Sequence, residues 1–409
     1  MAARLAAVVA FSLAPLTCQQ QALRCAHLLA ADGASFLDDR IVQLDGGRIV
    51  AIEPAAADAK VDATLDGFVI PGLIDLHTHL LLHPYDEASW DDQVLKESLE
   101  LRTIRATVAA ATTLRSGFVA VRDLGTEGAG LADIALRTAI AQGMIQGPRV
   151  FASTRAIVAL GCYGPNLANG AVPKGAQEVN GADAARAAAR EQIAAGADWI
   201  KVYADYRRAP GGGATPTLSE AELAAICDEA KSAGVPVAAH ASTDEGIRRA
   251  VLAGVRTIEH GTQASDATLQ LMAERGVVLC PCLAANEAIV RYAGRRGAAA
   301  ARLDPGRVTV QRALGKGVTV ACGTDAGVFR HGDNARELEL LVAAGMTPAQ
   351  ALAAATSTAA AVLGRKGELG TIDVGARPGL VVLRGDPLQD IAAVRQVVAV
   401  HVAGRAAAR

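Results

Sequence analysis

The stretch Val69-Ile70-Pro71-Gly72-Leu73-Ile74-Asp75-Leu76-His77-Thr78-His79 decides the fold. An apolar run, broken once by Pro-Gly, ends in His-x-His. Residues 68–76 read as a buried strand, because the run is too short for a helix and carries a turn signal inside it. Positions i and i+2 of a strand share a face. His77 and His79 therefore project together from the C-terminal end. Two imidazoles placed this way can bind one metal ion, although the same pair could simply close a strand with polar residues.

Downstream, short apolar β-branched runs alternate with alanine-rich helical segments, the pattern of βα units and a parallel sheet. Candidate strands are 68–76, 118–123, 150–153, 199–203, 235–240, 257–259, 277–281 and 318–323. Two intervening helices have clear starts. Ser219-Glu220-Ala221-Glu222 has a capping-box layout, and Thr347-Pro348-Ala349-Gln350 places an N-cap, a proline and a glutamine in order. Eight such units predict an α/β fold with a closed (β/α)8 TIM-like barrel over residues 69–364.

Both flanks read as short strands. Residues 22–68 carry a hairpin signal at Asp45-Gly46-Gly47, and residues 365–409 return to strand character after the barrel. The expectation is a small β-sandwich built from both chain ends, with the barrel inserted between its halves. Residues 1–21 have the layout of a secretory signal: one arginine, an apolar stretch of 12 residues from Leu5 to Leu16, then a polar segment. Export to the periplasm or medium is expected from this, with a cytoplasmic location the alternative. Cys18 raises lipidation as a further option.

Length and composition fit a large globular enzyme. The 409 residues are 51% hydrophobic and 20% charged, with a net charge of −2 and only 3% aromatics. Near-neutral charge gives no footprint for nucleic acid or an anionic membrane surface, and so few rings argue against base stacking. The apolar stretch at the N-terminus is too short to span a bilayer. The seven cysteines are scattered, several in apolar runs, and read as buried small hydrophobes.

In such barrels, reactive groups stand at the C-terminal ends of strands. His77 and His79 end the first, Lys201 lies in the fourth, His240 ends the fifth, His260 follows the sixth, and Asp325 follows the eighth. Singly, each has a bland reading: a core histidine, a lysine reaching the rim, an aspartate capping a helix. Together they read as a metal constellation.

The set resembles the amidohydrolase superfamily. The matching motifs are Gly72 to His79, the strand-four Lys201, His240, Glu259-His260-Gly261 and Thr324-Asp325-Ala326. Lys201-Val202-Tyr203-Ala204-Asp205 and Gly323 to Gly327 look most like its prolidase-like branch of dipeptidases, N-acyl amino acid carboxypeptidases and ochratoxin-type amide hydrolases. The resemblance implies two divalent ions. His77, His79 and Asp325 would hold one, His240 and His260 the other. Lys201 would bridge them as a carbon dioxide adduct, N6-carboxylysine. It further implies attack of a bridging hydroxide on an amide carbonyl of a dipeptide or N-acyl amino acid, with Asp325 as general base and acid. His, Asp and carbamate ligands suit Zn²⁺ first, with Mn²⁺ or Co²⁺ compatible. A cyclic-amide or imidazolone-type hydrolase on the same scaffold is the alternative. A silent structural relative would be expected to have lost ligands. Relatives often assemble, so a homo-oligomer is an open expectation.

Weaker signals surround these six. Tyr203, on the same strand face as Lys201, and His331, in the loop after the eighth strand, are candidate substrate contacts, with Arg207 a further anchor. Arg122-Asp123 reads as a structural ion pair near the rim. Gly211-Gly212-Gly213 suggests a mobile loop.

Overall fold

Gly72 is where the chain leaves one sheet and enters another. Residues 68–76, expected as one strand, divide there in the computed structural model. The structure describes residues 20–165, 173–208, 212–295, 305–402 and 405–407. The expected signal segment with Cys18, and Gly211 of the glycine run, fall outside them. The chain begins with β1 (Gln20–Leu29), β2 (Phe36–Asp45), β3 (Arg48–Pro54) and β4 (Ala63–Pro71), and then β5 (Leu73–Thr78) opens the barrel. A Cβ on Gly72 would lie 2.2 and 2.5 Å from the Val119 methyls and 2.9 Å from the Pro378 carbonyl oxygen. Only glycine lets the backbone pass between them. Gly72→Ala should destabilise the protein by about 1–3 kcal/mol through overpacking, seen as a lower melting temperature. An unchanged melting temperature would contradict this close approach.

The barrel continues with β6 (Phe118–Asp123), β7 (Arg149–Ala152) and β8 (Ile157–Ala159), the latter paired with β9 (Gln177–Val179). Next comes β10 (Ile200–Tyr203), followed by a short antiparallel hairpin, β11 (Asp205–Arg207) with β12 (Ala214–Pro216). β13 (Val237–Ala241), β14 (Thr257–His260) and β15 (Val278–Cys280) complete the parallel run. Backbone hydrogen bonds lead around the ring. Asp198 N reaches Ala152 O at 2.8 Å between the third and fourth staves, Ala321 N reaches Leu279 O, and Leu76 N reaches Cys322 O, both at 2.9 Å.

Two expected strands are less regular than the sequence suggests. The third is broken after Ala152, with Thr154 at φ 60°, and resumes as β8. The eighth, around 318–323, forms only isolated bridges. The carbonyls of Ala354 and Ala355 intercept the N–H groups of Cys322 and Ile74 at 3.0 and 2.7 Å, interrupting the ladder between first and last staves. Inside the ring, Ile74, Leu76, Ala120, Phe151, Trp199, Ala238, Val278 and Ala321 form one buried cluster, so the barrel is a packed core open for chemistry only at its mouth.

After the barrel, β16 (Leu380–Leu383), β17 (Val397–Val402) and β18 (Arg405–Ala406) return to the N-terminal strands. The small domain, built from both chain ends as expected, is one hydrogen-bonded sheet of seven strands in the order β18-β17-β16-β4-β1-β2-β3. Leu23, Leu28, Val42, Ile49, Val69 and Val382 are among its own core residues. Both capping boxes form as predicted, at Ser219/Glu222 and Thr347/Gln350.

Candidate metal centre

The six residues arrive at the barrel mouth from five staves or the turns after them, His77 and His79 sharing the first, and two of them have an unusual backbone conformation. His260 and Asp325 have φ values of 71° and 61°, a region costly for side chains other than glycine. Past the strand end, this left-handed step re-aims the side chain, so simple strand alternation does not predict its direction. Asp325 N donates to His77 O at 2.7 Å, which docks the eighth turn directly onto the first strand.

His77 Nε2, His79 Nε2 and Asp325 Oδ1 converge, with Asp325 Oδ1 3.6 Å from the first and 3.2 Å from the second. Among the described residues, these three form one of two groups whose ligand atoms lie within 4.8 Å of one another; the other is His77, His260 and Cys282. Their other ring nitrogens are already committed. His77 Nδ1 meets Glu259 Oε2 at 2.9 Å and His79 Nδ1 meets the Gly125 carbonyl oxygen at 3.0 Å. A carbonyl or carboxylate oxygen can only accept, so both Nδ1 atoms carry a hydrogen and Nε2 is the ring nitrogen each histidine has available for an ion. That is the tautomer a metal ligand needs.

His260 and His240 stand beside this trio. Their ring centroids are 4.6 Å apart, and His260 lies 5.5 Å from His77. His240 turns Nε2 toward Asp205 at 3.8 Å. Lys201 is fully buried, with Nζ 3.5 Å from His77 Nε2 and, among the described residues, no carboxylate at ion-pair distance. Burial holds its ammonium below the ordinary lysine value.

The electrostatics favour a cation here. Burial, with Lys201 adding to it, holds His77 well below the usual imidazole range. Burial also lowers His240 and His260. His79 runs the other way. Burial opposes its charge, but Asp325, Glu127 and Asp123 outweigh it and raise the pKa to about 9. Asp325 would be raised by burial, yet its histidine neighbours hold it well below the carboxylate range. Neutral imidazoles facing carboxylates are the donor set that divalent transition ions take, and such an ion would replace the proton shared by His79 and Asp325.

Asp75 braces the trio: it accepts from His77 N and Thr324 N, both at 3.0 Å, from Thr324 Oγ1 at 2.6 Å and from Asn334 Nδ2 at 2.8 Å. Arg122 does not pair with Asp123 at the rim as expected. It lies inside the barrel, 2.9 Å from Glu259 Oε1, with its guanidinium over Trp199. Asp123 instead accepts from Leu80 N at 2.9 Å. Cys282 Sγ is 3.2 Å from His77 Nδ1, and burial pushes its thiol well up.

The expected substrate contacts fare differently. Tyr203 stacks on His240 at 4.5 Å. His331 is buried, its Nε2 against the Leu82 carbonyl at 3.2 Å, and it lines a cavity of about 660 Å³ with Asp86, Arg291 and Arg330, a cavity to which none of the six residues contributes. Arg207 is exposed, over the Tyr206 ring.

Sequence reasoning missed Glu127. Its side chain is buried, Oε2 accepts from Trp90 Nε1 at 2.9 Å and Tyr163 OH at 2.7 Å, and Oε1 lies 3.7 Å from His79 Nδ1. The only local hint was its place four residues after a strand end, in a glycine-rich turn.

The amidohydrolase family sequence model matches residues 68–407. The chain belongs to the amidohydrolase family. Members hydrolyse carbon–nitrogen bonds and generally bind metal ions. An uncharacterized protein of Mycobacterium tuberculosis is 32% identical over 372 residues, covering 87% of this chain and 90% of its own length. Ochratoxinase of Aspergillus niger is 30% identical over 372 residues, covering 82% of this chain and 74% of its own. A solved Xaa-Pro dipeptidase with methionine bound in its active site superposes with a TM-score of 0.84 at 30% identity, over 95% of this amidohydrolase and 99% of that chain. These relatives are consistent with the prolidase-like branch. Among the described residues of this amidohydrolase, no helix is long and apolar enough to cross a membrane.

Proposed function

We propose that this amidohydrolase uses two metal ions to cleave the amide bond of a dipeptide or N-acyl amino acid. The observation that carries the reading is the convergence of His77 Nε2, His79 Nε2 and Asp325 Oδ1, with His240, His260 and buried Lys201 beside them. His77, His79 and Asp325 would hold one ion, and His240 and His260 would hold the second. Lys201, deeply buried with no carboxylate at ion-pair distance among the described residues, would serve as a further ligand as N6-carboxylysine. Zn²⁺ fits these ligands, as do Mn²⁺ and Co²⁺.

When bound, two divalent ions lower the pKa of water and polarise the substrate carbonyl. The protein supplies the rest. Asp325, at the junction of the two first-strand histidines, takes the proton from water on its carboxylate and delivers it to the leaving nitrogen. Asp75 fixes the first strand against the eighth turn so that these atoms stay in register. Glu259 orients His77, and Arg122 keeps Glu259 in place. Glu259→Gln should weaken metal binding by about 10- to 100-fold, measured by competition with a chelator. Unchanged affinity would remove Glu259 from this role.

The test of function is release of amino acids. Metal-loaded protein in bicarbonate buffer is offered a library of dipeptides and N-acyl amino acids, and free C-terminal residues are quantified. Release that chelation abolishes and Zn²⁺ restores is the expected result. No release from any member by protein carrying two ions would overturn the linear-substrate reading and favour a cyclic amide.

A further inference from the structure

The seventh stave supplies none of the six residues of the proposed centre, yet the turn after it carries a donor of a different kind. β15 ends at Cys280, and Cys282 follows Pro281 with φ at 53°, in the left-handed region that His260 and Asp325 also occupy. Cys282 is fully buried, and its Sγ lies 3.2 Å from His77 Nδ1. Its thiol hydrogen has a weak acceptor, the Cys280 carbonyl oxygen at 3.5 Å.

Cys282 Sγ and one ring nitrogen each of His77 and His260 lie within 4.8 Å of one another. A tetrahedral ion with bonds of ~2.0–2.3 Å holds its donors roughly 3.4–3.7 Å apart. The 3.2 Å contact and the 4.8 Å limit bracket that span. Cysteine and histidine together are a common zinc donor set, and three protein donors leave one position open. Sulfur also discriminates among metals. A thiolate is soft and favours ions such as Zn²⁺ and the still softer Cd²⁺, whereas Mn²⁺ prefers oxygen. The trio of His77, His79 and Asp325 contains no sulfur.

We propose that Cys282 joins His77 and His260 in a separate one-ion site for a thiophilic metal. The S–H bond breaks as the sulfur–metal bond forms, and the proton goes to solvent. His77 belongs to the trio of the first proposed ion and His260 to the pair of the second. The sulfur site therefore cannot fill while both of those ions are in place. A thiophilic ion displaces the two-ion state, and a hard ion does not use the sulfur. The exclusion rests on the two-metal reading above; the sulfur ligand does not.

Cd²⁺ is the probe, because its bond to a thiolate gives an ultraviolet charge-transfer band. The full chain and Cys282→Ser are stripped with a chelator and titrated with Cd²⁺ in bicarbonate. The wild type should show the band and the variant should lack it. Competition with a chelator should show Cd²⁺ affinity about tenfold or more weaker in the variant, with Mn²⁺ affinity within about threefold. The Mn²⁺ result also shows that the variant is folded. X-ray absorption of cadmium-loaded wild type needs no variant, and it should show one sulfur among nitrogen neighbours. No band and no sulfur neighbour in cadmium-bound wild type, or an undiminished band in Cys282→Ser, would overturn the sulfur ligand. When Cd²⁺ is added to zinc-loaded wild type, zinc should leave as the band grows, falling from two ions per chain to one or none. A full band with both zinc ions retained would overturn the exclusion. The band is read without substrate, so a failure of amide hydrolysis leaves the sulfur site standing.

Discussion

Replacing Asp325 with Asn should lower kcat by about 10²- to 10⁴-fold, the range for loss of a general acid–base group, while KM moves little. The side chain sits at the junction of His77 and His79, 3.6 and 3.2 Å from their Nε2 atoms. An asparagine keeps the shape and one ligand oxygen, so the ion has a place to bind. It cannot take up and return a proton near neutral pH. The loss should therefore appear in turnover rather than in substrate binding, because the group acts mainly in the transition state. Metal content measured on the same preparation separates a lost proton carrier from a lost ion. A variant that binds both ions and turns over at the wild-type rate would remove Asp325 from proton transfer.

Lys201→Ala should be at least as damaging, by a different route. The lysine is fully buried among His77, Tyr203 and the barrel interior. On the proposed two-ion reading, its truncation would remove the ligand shared by the two halves of the centre. The expected result is loss of one or both ions and a fall in activity of about 10³-fold or more, the scale on which paired metal ions stabilise a displacement. A short carboxylate such as acetate, added to the variant, fills the vacated space with two oxygens and should restore part of the activity. Full metal content and full activity in Lys201→Ala would contradict the bridging role. So would intact mass and carbon-13 spectra that show no carbamate on the wild-type lysine in labelled bicarbonate.

Much of this architecture was legible in the sequence because it is local. A strand followed by a helix is written in a few dozen consecutive residues, and the histidines sit at the ends of runs that announce themselves. Contacts between distant segments were not legible. Glu259 was visible only as the neighbour of His260; its partner His77 lies 182 residues away. Arg122 read as the partner of Asp123 because they are adjacent, yet adjacent strand residues point to opposite faces, and its real partner is across the barrel. The break of the third strand and the interrupted eighth depend on Thr154 and on the carbonyls of Ala354 and Ala355, which no periodicity reveals. Glu127 carries no motif at all. Its importance comes from the packing of Trp90 and Tyr163 against its buried side chain, a tertiary property.

The central claim, one two-metal centre formed by His77, His79, Lys201, His240, His260 and Asp325, is tested most directly by counting ions. Elemental analysis of protein loaded with Zn²⁺ in bicarbonate and then dialysed, run beside Lys201→Ala, should give two ions per wild-type chain and fewer in the variant. A single ion per wild-type chain, unchanged in Lys201→Ala, would contradict it.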